Sequence, residues 1–228
     1  MNQTPLKVAV LVSGNGSNLQ VLIDKMQSGQ LPIQIVGVIS NKADAYALTR
    51  ANNANIPTAI IDRDEHGKKY SRVGFEQKAL DVLQSWQPDL VVLAGFMRIL
   101  TPLFINGVID GVTADNGLNV PMINLHPSLL PNYKGLDTHE RVLKSGERYH
   151  GCSVHLVTSE LDAGEVIAQA VTAIKHNETA EALQNRVHTL EHQLLPMVVA
   201  LFAQGVIMVD GEILKNQLGL NFPIKLAY

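Results

Sequence analysis

The chain has 228 residues, 46% hydrophobic and 17% charged, which suits one large domain or two small ones around a buried core. Its net charge of -3 and the lack of a basic stripe argue against duplex nucleic acid as a partner, but leave room for a small anion held by backbone N–H groups. A single cysteine, Cys152, permits no internal disulfide, and no run reaches the roughly 18 apolar residues of a membrane span, so the expectation is a cytoplasmic protein without membrane contacts.

The first apolar run, "KVAVLVSG" (7–14), is too short for a secretory leader and carries no small-residue cleavage site. It reads as a strand ending in a glycine turn. "IQIVGVIS" (33–40), "TAII" (58–61) and "DLVVLAG" (89–95) have the same unbroken character, that of strands buried on both faces of a parallel sheet. Helical patterns lie between them at 18–29, 43–55 and 67–86, and this alternation predicts a doubly wound α/β fold. The Gly-, Asn- and Asp-rich stretch 105–119 reads as a surface loop. Further on, 120–124 reads as a strand, and 137–146 as a short helix with Asp137 as N-cap and Gly146 as its stop. The segments 152–158 and 165–174 read as antiparallel strands. A long amphipathic helix follows over 179–205, with a kink expected at Pro196. Asp210-Gly211 marks a hairpin within 206–214.

Ligands of open α/β sheets bind beyond the carboxyl ends of the strands. Three segments occupy such ends: "SGNGSN" (13–18), "GFMRIL" (95–100) and "NLHPSLLP" (124–131). The first has Gly14 and Gly16 for a tight turn, and the N–H groups of Gly16, Ser17 and Asn18 open a helix toward an anion. Leu19 stands where a dinucleotide fingerprint needs its third glycine, and no Lys-Ser/Thr pair follows, so a monophosphate cup fits best; a plain capped turn is the alternative. In the third, Pro127 keeps His126 out of helix, and Asn124 and His126 alternate along extended chain and face one side. An amide and an imidazole aimed at one point make an oxyanion hole with an acid/base group built in, unless His126 is simply a loop histidine. Asp162, in the glycine-containing turn "SELDAGEV", is a carboxylate able to orient that ring.

Taken together, "VLVSGNGSNLQ", "SNKADA", "PDLVVLAGFMRIL", "INLHPSLLP", "HGCSVHLVTSELDAG" and "EH" (191–192) closely resemble, in the same order, the folate-dependent glycinamide ribonucleotide formyltransferases. The resemblance runs from about residue 7 to about residue 200. It implies a single formyltransferase domain over 1–228, with a phosphate-binding half to about 105 and a catalytic, folate-binding half from about 118. It implies transfer of a formyl group from 10-formyltetrahydrofolate, a co-substrate, to the amine of 5'-phosphoribosylglycinamide, with no metal and with a monomer or weak homodimer as the working form. By motif match Asn124, His126 and Asp162 fall on the catalytic positions. Gly16, Ser17 and Asn18 fall on the phosphate site and Glu191 near the glycinamide end. Met97, Arg98, Ile99 and Leu100 fall on the pterin-pocket stretch, with Thr158, Ser159, Glu160, Leu161 and Asp162 on its other side, Asn124 adjoining, and Arg72 on a folate-contacting arginine.

Two departures stand out. Residues 105–119 look longer than in the shortest members, and Asp137 replaces a histidine that assists activity in some. Methionyl-tRNA formyltransferase shares the catalytic loop but carries a basic C-terminal extension for which this sequence has no counterpart. Formyltetrahydrofolate deformylase, a second relative, uses water as acceptor and has less need of a phosphate cup. A nucleotide-binding module without catalysis would have no use for the Asn124, His126 and Asp162 set.

Overall fold

The computed structural model describes residues 4–111, 118–210 and 213–228. The chain divides into two compact units, Met1–Ile123 and Asn124–Tyr228.

In the first unit, β1 (Leu6–Val12), β2 (Ile33–Ser40), β3 (Thr58–Ile60) and β4 (Leu90–Ala94) run parallel in the order β4-β1-β2-β3. The chain moves outward from β1 through β2 to β3 and returns to the other flank of β1 for β4, the doubly wound order expected of the sequence. Val8 through Val12 are wholly out of solvent, which is why this strand shows no polar alternation. Helices α1 (Ser17–Gln27), α2 (Tyr46–Asn53) and α3 (Arg72–Trp86) connect the strands. α3 begins five residues later than the pattern at 67–86 predicts. Ser71 sets its start by accepting the Gly74 N–H, and Lys69 instead pairs with Arg63 in an antiparallel bridge.

The predicted loop over 105–119 is corrected at its start. A helix, α4 (Pro102–Ile109), covers those residues and buries Phe104, Ile105 and Val108. Its entry is built for helix: Pro102 fills the first turn, and Thr101 accepts the Phe104 N–H. Buried Glu76 in turn holds Thr101 by accepting both its N–H and its hydroxyl, at 2.8 and 2.6 Å. The Asn and Gly content of the segment concealed this apolar face. The rest of the expected loop, 112–117, lies outside the described residues.

β5 (Met122–His126) starts and ends two residues later than expected, so the strand itself carries both Asn124 and His126. In the second unit the strand order is β10-β7-β6-β5. β6 (Tyr149–Leu156) and β7 (Val166–Ala173) pair antiparallel as predicted, while β10 (Ile224–Ala227) adds parallel to β7. That last strand went unpredicted because four alternating residues after a proline carry little signal. α5 (Thr138–Ser145) ends at Gly146, in left-handed conformation at φ 73°, as expected. Asp137, however, does not cap it. Its own backbone is left-handed, at φ 56°, and its carboxylate accepts no N–H of the first turn. α6 (Ala180–Ala203) is capped by Thr179 and contains Pro196. β8 (Ile207–Asp210) and β9 (Ile213–Asn216) form the predicted hairpin; its turn, 211–212, lies outside the described residues. No helix among the described residues is long and apolar enough to cross a membrane.

Candidate active site

In the first unit, the chain leaves β1 through Ser13 and Gly14 and enters α1 at Ser17. Gly16 occupies the N-cap in left-handed conformation, φ 74°, where no side chain caps the helix. A methyl group on Gly16 would lie 2.5 Å from the Ala47 side chain, so conformation and space both demand glycine. The first N–H groups of α1 thus start a helix without a cap, the usual arrangement for meeting an anion. Ser13 ties the turn to two other loops: its hydroxyl donates to Asn41 Oδ1 at 2.6 Å and accepts the Met97 N–H at 2.8 Å.

That last bond places the 97–100 stretch beside the turn. Met97 and Ile99 are more than half exposed, whereas Leu100 is buried. Arg98 stacks over the Phe75 ring at 4.6 Å and reaches the Tyr70 carbonyl. Arg72, the first residue of α3, is exposed. The stretch therefore offers two apolar side chains to solvent on a backbone tied down at Met97.

In the second unit, four segments meet at the Asp162 carboxylate. Oδ2 accepts the Gly135 N–H at 2.9 Å and faces His126 Nδ1 at 3.5 Å. Oδ1 faces Asn124 Nδ2 at 3.5 Å and His155 Nε2 at 3.6 Å. Both His126 and Asp162 side chains are over nine-tenths buried. The turn that presents Asp162 is left-handed there, φ 48°, and closes against the end of β6 through Gly164, where a Cβ would fall 1.9 Å from the Leu156 carbonyl oxygen. The sequence therefore placed Asn124, His126 and Asp162 correctly as neighbours.

Hydrogen bonding decides where the protons sit. His126 Nε2 lies 2.9 Å from the Tyr133 carbonyl, which only accepts, so Nε2 carries a proton. His155 Nδ1 lies 2.7 Å from the Leu156 carbonyl and must likewise carry one. Burial, opposed in part by the Leu156 carbonyl and by Asp162, lowers the His155 pKa to about 4, so at neutral pH its Nε2 keeps a lone pair. That lone pair takes an N–H from Asn124 Nδ2 at 3.0 Å and thereby fixes which end of the amide faces which way. His155 was not singled out in the sequence. Its signal was a histidine in a strand buried on both faces, alternating with buried Ser153.

The remaining candidates divide in the same way. Thr158 donates to the Glu160 carbonyl, Glu160 pairs with Lys134 at 3.2 Å, and Leu161 is half exposed. Glu191 is buried in α6, and burial, with Glu191 adding, pushes the Cys152 thiol up, so Cys152 is an inert core residue. His150 and His139 bond to each other at 3.0 Å. Among the described residues no group of three or more His, Cys, Asp or Glu side chains is placed to hold a metal.

Comparison with known proteins adds an independent line. The family model described as formyl transferase matches residues 6–199. The phosphoribosylglycinamide formyltransferase of Haemophilus influenzae is 42% identical over 200 residues, covering 87% of this chain and 88% of that protein. Its counterpart in Escherichia coli is 40% identical over 200 residues, 88% of each. The solved structure of the Coxiella burnetii phosphoribosylglycinamide formyltransferase, in complex with CHES, superposes with a TM-score of 0.83 at 44% identity, covering 98% of this chain and 99% of that one.

Proposed function

The chain belongs to the formyl transferase family, and from that premise we propose how its side chains divide the work. It moves the formyl group of 10-formyltetrahydrofolate to the amine of 5'-phosphoribosylglycinamide, a step of purine biosynthesis, as the names of its relatives indicate. The amine lone pair attacks the formyl carbon, and the carbonyl oxygen becomes an oxyanion. The bond from that carbon to folate N10 then breaks, the amine gives up a proton and N10 gains one. The protein has to stabilise the oxyanion and manage one proton.

The buried Asp162 carboxylate, with Asn124 and His126 from a single strand end set against it, is the observation that carries this reading. Its bonds fall into two classes. The short ones, Gly135 to Asp162, His126 to Tyr133 and Asn124 to His155, hold the groups in place. The two 3.5 Å separations, Asn124 to Asp162 and His126 to Asp162, are too long to be strong bonds. They leave one amide N–H and the Nδ1 side of the imidazole ready for a better acceptor, which the oxyanion becomes. A doubly protonated His126 satisfies Tyr133 with one N–H while giving the other to that oxygen. A water at the carboxylate relays the amine proton.

Binding is divided accordingly. Gly16, Ser17 and Asn18 take the substrate phosphate, and Glu191 serves its glycinamide end. The exposed apolar side chains of Met97 and Ile99, with Arg98, Leu100 and Arg72, suit the flat, partly apolar pterin of the folate. The test is a spectrophotometric assay of tetrahydrofolate release from 10-formyltetrahydrofolate, with and without 5'-phosphoribosylglycinamide. Release that requires the ribonucleotide is expected. Equal release without it would make the chain a deformylase, and no release in either case would overturn the reading.

A further inference from the structure

The turn at residues 13–18 is braced from behind by α2. Arg50 directs three donors there: Nε to the Asn15 carbonyl at 2.9 Å, Nη2 to Asn15 Oδ1 at 3.1 Å, and Nη1 to Gln20 Oε1 on α1 at 3.1 Å. Its guanidinium lies over the Tyr46 ring, 4.8 Å from the centroid, which limits its freedom further. One turn of α2 earlier, the Ala47 N–H donates to the Gly14 carbonyl at 3.1 Å, and the Ala47 side chain faces Gly16. Asn41, just before α2, accepts from Ser13. So Ser13, Gly14, Asn15 and Gly16 are each gripped by the "SNKADA" segment or the helix that follows it.

The need for such a grip is physical. A phosphate site made of backbone N–H groups binds well only if those groups are already aimed, because a floppy turn would have to be ordered on binding. Asn15 is exposed and precedes the glycine, so nothing in its own burial fixes it. Arginine holds it in a way no other cation matches: a planar fork engages a backbone oxygen and a side-chain oxygen of one residue together, and the charge is permanent.

We propose that Arg50 is a positioning residue of the phosphate site: by gripping Asn15 through both oxygens it holds the conformation in which the Ser17 and Asn18 N–H groups face the phosphate, and it keeps a positive charge beside them. This rests on the reading that the turn holds the substrate phosphate.

The experiment compares 5'-phosphoribosylglycinamide with the same glycinamide riboside lacking the phosphate, in the wild type, Arg50→Met and Arg50→Lys, each checked by a thermal melt. The wild type should strongly prefer the phosphorylated substrate. Arg50→Met should raise the KM for that substrate by about tenfold or more, leave its kcat within about threefold, and leave kcat/KM for the phosphate-free compound within about threefold. Arg50→Lys keeps the charge but cannot bridge both oxygens of Asn15, so its KM should rise by about fivefold or more. A wild type that treats the two substrates alike would overturn the phosphate reading and the brace with it. A wild type that discriminates, with variants that discriminate equally well, would overturn the brace alone. Loss of activity on both substrates in parallel would reduce Arg50 to general stability, and Arg50→Lys at wild-type KM would show that charge suffices without the grip. If Arg50→Met does not fold, the lysine variant decides.

Discussion

The turn of residues 13–18 and the Asp162 cluster are built by opposite means. The turn uses backbone: N–H groups at the start of a helix, a glycine at φ 74°, and supports that lock the main chain. The cluster uses side chains drawn from Asn124, His126, His155 and Asp162, plus one N–H from Gly135. A backbone site tolerates changes in most of its side chains but not in its conformation. A side-chain site depends on each functional group and on its protonation.

The largest test of that contrast is Asp162→Asn. The substitution is nearly isosteric, yet it removes the charge opposite His126 and puts an amide where Gly135 and Asn124 both donate. Turnover should fall by about 10³-fold, the scale for loss of an electrostatic group in an active site, while folate affinity measured by titration stays largely intact. A variant that keeps full rate across neutral pH would remove Asp162 from the chemistry.

In the turn, the corresponding test is Gly16→Ala. The smallest possible side chain meets Ala47 at 2.5 Å and must adopt a positive φ. The KM for the phosphorylated substrate should rise by about tenfold with a lesser effect on kcat, and the melting temperature should drop by several degrees, the scale of about 1–2 kcal/mol of strain in a chain of this size. Unchanged KM would mean that the turn does not hold the phosphate.

The same contrast explains what could be read from the sequence. The turn is six consecutive residues at a strand end, and strand, glycines and helix start are all local signals. Asn124 and His126 were legible for the same reason, two residues apart on one strand. Asp162 and His155 lie 38 and 31 residues from Asn124; a carboxylate in a glycine turn, backed by the family pattern, pointed to the first, and nothing pointed to the second. Arg50 was hidden likewise: 35 residues from Asn15, it looks like any arginine on an amphipathic helix. α4 was misread because its apolar face is interrupted by Asn106 and Gly107, whereas its capping depends on Glu76, 25 residues upstream of Thr101.

The mildest consequence of the contrast is in pH. Backbone N–H groups do not titrate, but the second unit also holds a bonded histidine pair, half-buried His139 and buried His150. Burial, aided by charge on His188 and His126, lowers His139 to about 4; burial, aided by His139 and His126, lowers His150 to about 4. Their 3.0 Å bond needs one proton between the rings, donated from one nitrogen to a lone pair on the other, and a second proton destroys the acceptor. Both groups have a folded pKa below the ordinary value of 6.5, so between pH 6.5 and 4 the unfolded chain binds more protons than the folded one. Stability must therefore fall as the pH drops through that window and be flat with respect to this pair above it. The melting temperature should fall by about 5 °C or more between pH 7.5 and pH 5. The drop should shrink in His150→Gln, which has no ring to charge. A wild-type melting temperature that does not move over that range would mean that the pair accepts its second proton without strain.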